Sequence, residues 1–197
     1  MNRANPTAST IKAALFSGIA LIGALCLAAA PARAADNKVQ RGEYLVNTSG
    51  CHDCHTPLTM GKDGPEPDMT RMLSGHPASL QMPPVPPLPE GPWQVVASAT
   101  NTAWAGPWGV SFTRNLTPDA DTGLGQWTLD NFVKTFRTGR RQGRGRVILP
   151  PMPIPAYKNF SDADLEAIYT YLQSIPAIRN AVPEPIAPEP ASPAAKK

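Results

Sequence analysis

Residues 49–57 read SGCHDCHTP, a stretch that places two cysteines two residues apart with a histidine directly after the second. A Cys-x-x-Cys pair of this kind occurs in redox-active dithiols, in zinc sites and at sites of covalent haem attachment. These three uses need different surroundings in the rest of the chain: an alternating α/β pattern, a second pair of metal ligands, or neither. The remainder of the sequence therefore decides between them.

Neither of the first two uses finds support elsewhere in the sequence. A structural zinc site requires four thiolate or imidazole ligands, but the only histidines are His52, His55 and His76, and no second cysteine pair exists. A thioredoxin-like dithiol lies at a strand-to-helix junction in an α/β pattern, which this chain lacks. Covalent attachment of one haem c requires only what is present, namely Cys51 and Cys54 to bond the porphyrin and His55 to bind the iron. We interpret His52 as a solvent-facing residue.

The first 34 residues have the three parts of a secretory signal peptide. Residues 1–12 carry Arg3 and Lys12, residues 13–30 are uncharged and apolar, and a cut after Ala34 would have small residues at positions −3 and −1. An uncleaved membrane anchor is the alternative, because the apolar run approaches the length of a spanning helix. The run is rich in Ala and Gly, however, and ends at the cleavage site. We therefore predict export to the periplasm and a mature chain without a membrane anchor.

Removal of residues 1–34 changes both the charge balance and the cysteine count. It takes away three basic residues, which leaves 15 Lys and Arg against 15 Asp and Glu. Because no basic surplus remains, we expect no nucleic acid partner. Cys26 is also lost, and Leu25 before it is unfavourable for a lipoprotein cleavage site. With only Cys51 and Cys54 left, the exported protein has no disulfide framework.

Three segments have the periodicity of amphipathic helices. They are residues 37–47, 128–138 and 161–175. The residues expected to cap them at the N-terminus are Asn37, Thr128 and Ser161. Gly139 and Pro176 are expected to end the second and third helices. Three such helices around one site make a small all-α core.

The rest of the chain is rich in proline, with 24 prolines in all. Residues 77–92 contain seven of them and are predicted to be extended, as in polyproline. They lie in a long insertion, about residues 57–110, in which residues 94–97 and 109–113 are predicted to pair as a short β-hairpin. The chain after Pro176 has too little apolar surface to offset the entropy of ordering it, so we predict that it wraps over the domain at first and that the tail, residues 181–197, is disordered toward its end.

The second axial ligand of the iron decides what such a haem does. A ligand from the protein favours electron transfer, whereas an open site permits gas binding or peroxidase chemistry. The candidates are His76, Met60, Met69, Met72, Met82 and Met152. Met152 lies in LPPMP, residues 149–153, whose prolines hold a side chain in place at low entropic cost, so it is favoured. His76 is the main alternative, and Met60 and Met69 are expected to fill the core.

Several segments together resemble class I c-type cytochromes with one haem. They are RGEYLV with CHDCH, TRNLTPDADTGLGQWTLDNFVKTFRTGR, and LPPMPIPAYKNFSDADLEAIYTYLQSIP. The resemblance covers about residues 36–180, within a domain predicted for residues 35–180. It is strongest to cytochromes and cytochrome subunits that accept electrons from periplasmic alcohol and aldehyde dehydrogenases. It implies the class I cytochrome c fold, an all-α arrangement of about three main helices around one covalent haem.

The resemblance also implies roles for individual residues. His55 and Met152 are expected to be the axial ligands, and Trp127 is expected near a haem propionate. Gly42 and Tyr44 of the first helix are expected to face the last helix. The carbonyl that orients the proximal histidine is not identified by the sequence, although Pro67 lies at a plausible distance along the chain.

The function implied is an electron carrier rather than an enzyme. It would pass single electrons from a periplasmic dehydrogenase, either as a free protein or as its cytochrome subunit, toward an acceptor cytochrome or oxidase. Two alternatives stay open: a haem enzyme or sensor with an exchangeable distal site, and an interaction subunit whose redox activity is incidental. Five arginines follow the middle helix, and they are interpreted either as a solvated loop or as propionate partners and a docking patch. They are Arg137, Arg140, Arg141, Arg144 and Arg146.

Overall fold

The computed structural model describes residues 36–86 and 92–188, and its compact unit Val39–Lys197 contains the site discussed below. The predicted signal peptide, residues 1–34, lies outside the described residues, as do residues 189–197 of the predicted tail. Among the residues described, no helix combines the length and the hydrophobicity that crossing a bilayer requires.

Five α-helices occur in the described part of the chain. They are α1 (residues 36–48), α2 (Cys51–His55), α3 (Leu129–Thr138), α4 (Ile154–Tyr157) and α5 (Asp162–Ser174). The predicted helices over 128–138 and 161–175 are confirmed as α3 and α5. Thr128 and Asn131 form a capping box at the start of α3, and Gly139 ends it in a left-handed conformation. Ser161 caps α5, where its Oγ accepts a hydrogen bond from the amide of Asp164 at 3.0 Å. These local signals are short-range, which is why the sequence predicts them.

Helix α1 crosses α5 at Gly42. A Cβ on Gly42 would lie 2.0 Å from the carbonyl oxygen of Ala167 and 2.7 Å from the Cβ of Tyr171, so only glycine lets the two helices approach this closely. Tyr44, which is expected to face the same helix, is 58% exposed, and the guanidinium carbon of Arg41 lies 5.5 Å from the centre of its ring. Asn37 is wrong as a cap, since residue 36 is already helical.

The main core is formed by the three longer helices. Its buried members include Leu45, Val46, Phe132, Leu165, Ile168 and Leu172. Burial of a leucine or phenylalanine side chain contributes roughly 2 kcal/mol, so this cluster accounts for much of the stability of the helical part.

Two small antiparallel sheets lie between α2 and α3, so the structure holds more β structure than the all-α fold with one short hairpin that the sequence predicts. Strand β1 (Leu58–Gly61) pairs with β2 (Gly64–Pro67) in a hairpin that the sequence patterns do not predict. Strands β3 (Val96–Ala97), β4 (Ala103–Gly106) and β5 (Gly109–Phe112) form a three-stranded sheet in that order.

The predicted hairpin is right in its position and wrong in its pairing. Residues 94–97 and 109–113 contain β3 and β5, but each pairs with β4 rather than with the other. The sequence of β4 gives a weak strand signal because its buried residues, Ala103 and Ala105, are small and have low β-propensity.

Two further expectations for the insertion concern its methionines. Met60 and Met69 are 77% and 59% exposed, so the expectation that they fill the core is wrong. Both lie in the short elements after α2, at the surface of the insertion.

The residues after α5 return to the three-stranded sheet. Val182 is buried with Ala103 and Phe112 in a second, smaller core. Ile186 forms an antiparallel bridge with Val110 of β5. Residues 181–188 thus make defined contacts in a tail for which we predict disorder only toward its end, and the other tail residues lie outside the described range.

Candidate functional site

A cavity of about 190 Å³ brings the predicted site residues together. Cys51, Cys54 and His55 of α2 line it, together with Trp127, which precedes α3, and Met152 from the loop between α3 and α4. Most of the remaining wall is carbon, contributed by the helices and by the sheet. It includes Phe112, Leu116, Leu124, Phe132, Ile168 and Leu172.

Helix α2 places the three motif side chains on one face, because residues three and four apart are neighbours on a helix. Burial raises the pKa of Cys51 to about 11, and the nearby charge of Asp53 adds to the effect. The pKa of Cys54 is raised by the same two causes. A redox-active dithiol needs a thiolate with a lowered pKa, so this environment does not favour the dithiol alternative. The zinc alternative has no support either, since the described residues hold no group of three His, Cys, Asp or Glu suited to a metal ion.

His55 is buried and held in one orientation. Its Nδ1 lies 2.7 Å from the carbonyl oxygen of Arg114. A carbonyl oxygen only accepts, so Nδ1 carries the proton and the lone pair of Nε2 is left for a metal. Burial lowers the pKa of the imidazole to about 4, which keeps the ring neutral. Arg114 is 59 residues away in sequence, and Pro67, which lies in β2, does not orient this ring.

The other two histidines do not line the cavity. His52 is partly buried rather than solvent-facing, and its Nδ1 lies 2.9 Å from Oγ1 of Thr56. His76 is fully buried, with Nδ1 2.9 Å from Oγ1 of Thr102 and Nε2 3.4 Å from the carbonyl oxygen of Leu80. Both ring nitrogens of His76 therefore have partners in the insertion.

Met152 is the one methionine among the described residues that lines the cavity. Its loop is fixed at several points. Ser111 Oγ donates to the carbonyl oxygen of Pro150 at 2.6 Å, and the amide of Ile148 donates to the carbonyl oxygen of Gly139 at 2.9 Å. The hydroxyl of Tyr157 in α4 donates to the carbonyl oxygen of Ser49, directly before the Cys-x-x-Cys motif.

Four of the five arginines after α3 make contacts that separate their roles. Arg137 donates to the carbonyl oxygens of Lys158 and Phe160 and pairs with Asp162, so it fastens α3 to the start of α5. Arg140 donates to the carbonyl oxygen of Gly145 within its own loop.

Arg141 and Arg146 instead line the cavity, as does Arg114 from the segment after β5. The guanidinium carbon of Arg141 lies 5.7 Å from the centre of the Trp127 ring. Nε of Arg146 is buried without a hydrogen-bond partner, and the nearest carboxylate oxygen, on Glu184, is 3.4 Å away.

These residues fit a haem. The apolar wall suits a porphyrin ring, and the two thiols and the imidazole are the groups that a c-type haem uses. The buried Oγ1 of Thr113 also lacks a hydrogen-bond partner, and Thr113 lines the cavity. The guanidinium groups of Arg141 and Arg146 and the unpaired hydroxyl of Thr113 suit a ligand that carries carboxylates.

Comparison with known proteins finds relatives but no matching family model. The chain is 30% identical over 152 residues to the gluconate 2-dehydrogenase cytochrome c subunit of Pantoea cypripedii, an alignment that covers 77% of this chain and 26% of the relative. It is also 30% identical over 149 residues to the cytochrome c subunit of the quinone alcohol dehydrogenase of Gluconobacter oxydans, covering 75% and 24%. A third relative, the fructose dehydrogenase cytochrome subunit of Gluconobacter japonicus, is 28% identical over 144 residues, which cover 73% of this chain and 22% of the relative.

The chain thus spans about a quarter of the length of these curated relatives. The predicted relationship is confirmed for the aligned part: over about three quarters of its length, this chain is a homologue of the cytochrome c subunits of dehydrogenases.

Proposed function

We propose that this chain is an exported cytochrome c that carries single electrons from a periplasmic dehydrogenase toward an acceptor in the respiratory chain. Cys51 and Cys54 would hold one haem c covalently, and His55 and Met152 would bind its iron. The single observation that carries the proposal is that these four side chains line the same apolar cavity. When bound, the haem supplies a one-electron couple between ferrous and ferric iron.

The protein side chains have separate tasks in this proposal. The Arg114 carbonyl fixes the tautomer of His55 and leaves Nε2 directed away from that hydrogen bond. Met152 offers a thioether, which stabilises the ferrous state more than a second imidazole would. The apolar wall excludes water and lowers the local dielectric, which also favours the less charged state of the iron. No residue of the cavity is assigned to bond-making on a substrate, so the protein is proposed as a carrier rather than an enzyme.

The propionates are proposed to lie near Trp127, Arg141 and Arg146. This is supported by the position of Arg141 over the Trp127 ring and by the presence of all three residues in the wall of the cavity. A docking patch built from all five arginines is less well supported, because Arg137 and Arg140 are occupied by contacts within the chain. If the remaining cations steer a redox partner, the rate of electron transfer falls steeply with ionic strength.

The attachment of haem and the removal of the leader are tested together by counting thiols in the denatured, exported protein. The chain contains Cys26, Cys51 and Cys54. No free thiol is expected if residues 1–34 are removed and both motif cysteines are bonded to haem. One thiol would mean either that the leader is retained or that one motif cysteine is unbonded, and two or three would contradict covalent attachment at both cysteines. The mass of the intact protein gives an independent value for the same two events.

The axial ligand is tested by Met152→Ala, with Met60→Ala as the matched control on an exposed methionine. The Met152 variant is expected to lose the methionine–iron charge-transfer band of the ferric form, to bind carbon monoxide when ferrous, and to have a lower reduction potential. Met60→Ala leaves all three unchanged. A native protein that already lacks the band and binds carbon monoxide would favour the haem enzyme or sensor. Loss of the native ferric spectrum on changing His76 would identify that residue as the ligand instead.

The donor is tested by isolating the protein from periplasm under mild conditions and by asking whether a copurified dehydrogenase reduces its haem when given substrate. Reduction that depends on the dehydrogenase substrate supports the proposed role. A haem that no dehydrogenase of the same periplasm reduces would contradict it.

A further inference from the structure

The segment after α5 is tied to the loop that orients His55. Arg114, whose carbonyl oxygen accepts from Nδ1 of His55, is followed by Asn115, which is 2% exposed. The Asn115 side chain donates to the carbonyl oxygen of Ile178 at 2.7 Å, and the amide of Ile178 donates to Oγ1 of Thr117 at 3.1 Å. The chain after α5 is therefore bonded to residues directly beside the Arg114 carbonyl.

The side chain of Arg114 makes a second connection to the same segment. Nη1 donates to the carbonyl oxygens of Val182 and Pro183 at 3.1 and 3.0 Å. Nη2 lies 3.3 Å from Oε1 of Glu184, and the other oxygen of Glu184 faces Arg146. This forked contact uses the planar geometry of a guanidinium, which a lysine ammonium does not reproduce.

The segment after α5 is also held to the rest of the protein by contacts that do not involve Arg114. The amide and carbonyl groups of Val110 and Ile186 exchange two hydrogen bonds of 2.8 and 2.9 Å. Val182 is 7% exposed in the smaller core. The acceptors for Arg114 are therefore fixed on the body of the protein rather than on a free tail.

We propose that Arg114 is a positioning residue, whose guanidinium is clamped by Val182, Pro183 and Glu184 so that its own carbonyl keeps the hydrogen bond to His55. This inference rests on the proposed function, in which His55 binds haem iron. A strong Nδ1–H···O bond makes the imidazole a more basic ligand and stabilises ferric iron, which lowers the reduction potential. A loosened clamp therefore raises the potential.

If Arg114 acted only through its charge, its substitution would lower the reduction potential or leave it unchanged. Loss of a cation near the cavity stabilises ferric iron and lowers the potential. The substitution Arg114→Lys separates the two roles, because it keeps the charge and removes the forked contact. Arg179→Lys is the matched control, since the guanidinium of Arg179 pairs with Asp121 rather than with the acceptors of Arg114.

The experiment measures the reduction potential of the haem-loaded protein and the solvent exchange of the His55 Nδ1 proton, followed by NMR. Arg114→Lys is expected to raise the potential and to speed the exchange, while Arg179→Lys changes neither. An unchanged or lowered potential with native exchange would overturn the inference.

A second variant covers the case in which Arg114→Lys does not fold. Glu184→Ala removes one of the three acceptors and is expected to speed the exchange of the His55 proton; native exchange rates in this variant would overturn the clamp. These outcomes leave the proposed function intact, because they are read in a protein that holds haem. Failure of the native protein to hold haem would instead contradict the proposed function.

Discussion

The two sides of the cavity are built in different ways. On the histidine side, His55 bonds to Arg114, and the amides of Gly75 and His76 donate to the carbonyl oxygens of His55 and Thr113 at 2.8 and 2.9 Å. All of these bonds join residues far apart in sequence. On the methionine side, a short proline-rich loop holds Met152, with one side-chain bond from Ser111 to its backbone.

Because the two sides are built differently, we expect damage to the histidine side to affect folding and damage to the methionine side to affect exchange of the iron ligand. Several segments must be in place together before the histidine side exists, so damage there is expected to lower the stability of the whole unit. The methionine loop is stiff because of its local sequence, and its loss leaves those long-range bonds intact. Changes on the methionine side are therefore expected to affect the iron ligand more than the fold.

The largest effect is expected for Gly75→Ala on the histidine side. Gly75 has a φ of +78°, and a Cβ there would lie 2.4 Å from the carbonyl oxygen of Thr113 and 2.6 Å from the carbonyl carbon of Arg114. The backbone strain and the clash together are expected to lower the free energy of unfolding by roughly 3 kcal/mol or more, as measured by denaturant titration of the haem-loaded protein.

Gly64→Ala is the control for this prediction. Gly64 also has a positive φ, +130°, but nothing lies within 4 Å of the added Cβ. Its loss of stability is expected to be smaller and confined to backbone strain. Equal losses in the two variants would show that the packing of Gly75 against the Arg114 segment is not what stabilises the histidine side.

The contrast between local patterns and long-range bonds also explains which features the sequence could predict. The Cys-x-x-Cys-His motif, the caps of α3 and α5, and Met152 between prolines are all local patterns, and local patterns are visible in one sequence. The Arg114 carbonyl depends on a contact between residues 59 apart in sequence, whereas the pairing of β3 with β4 is local and is missed because the small residues of β4 give a weak strand signal. A backbone carbonyl also leaves no side-chain signature, so no residue type marks Arg114 as the partner of His55.

Tyr157→Phe tests the contact that joins the two sides. The hydroxyl of Tyr157, five residues after Met152, donates to the carbonyl oxygen of Ser49 beside α2. Removal of this bond at neutral pH is expected to lower the free energy of unfolding by roughly 1 kcal/mol. The ferric spectrum is expected to keep its native form, because Met152 stays in its loop.

The effect of Tyr157→Phe depends on pH. Burial, with smaller effects from the charges of Cys51, Cys54 and Asp53, raises the pKa of Tyr157 to about 12. The two thiol contributions disappear once both cysteines are bonded to haem, and burial remains the main cause. The tyrosine has a pKa of about 10 in the unfolded chain. Between about pH 10 and the raised pKa of the folded protein, the folded state therefore keeps the phenolic proton that the unfolded state has lost. The advantage of the native protein over the variant is complete below pH 10 and is lost as the pH rises through this window. A stability difference that stays constant up to pH 12 would contradict a buried, bonded hydroxyl.

The smallest effect on stability is expected for Ser111→Ala on the methionine side. The variant loses the 2.6 Å bond from Oγ to the carbonyl oxygen of Pro150, which is expected to cost about 1 kcal/mol or less because the loop keeps its prolines. If Met152 binds the iron as proposed, the main consequence is faster binding of carbon monoxide by the ferrous protein, since a loop that is held less firmly would release the iron more often. Ser174→Ala is the control, because that hydroxyl bonds only to its own helix at Tyr171. If Ser111→Ala destabilised the protein as much as Gly75→Ala and left carbon monoxide binding unchanged, the methionine side would be as much a part of the folding unit as the histidine side, and the contrast between them would be wrong.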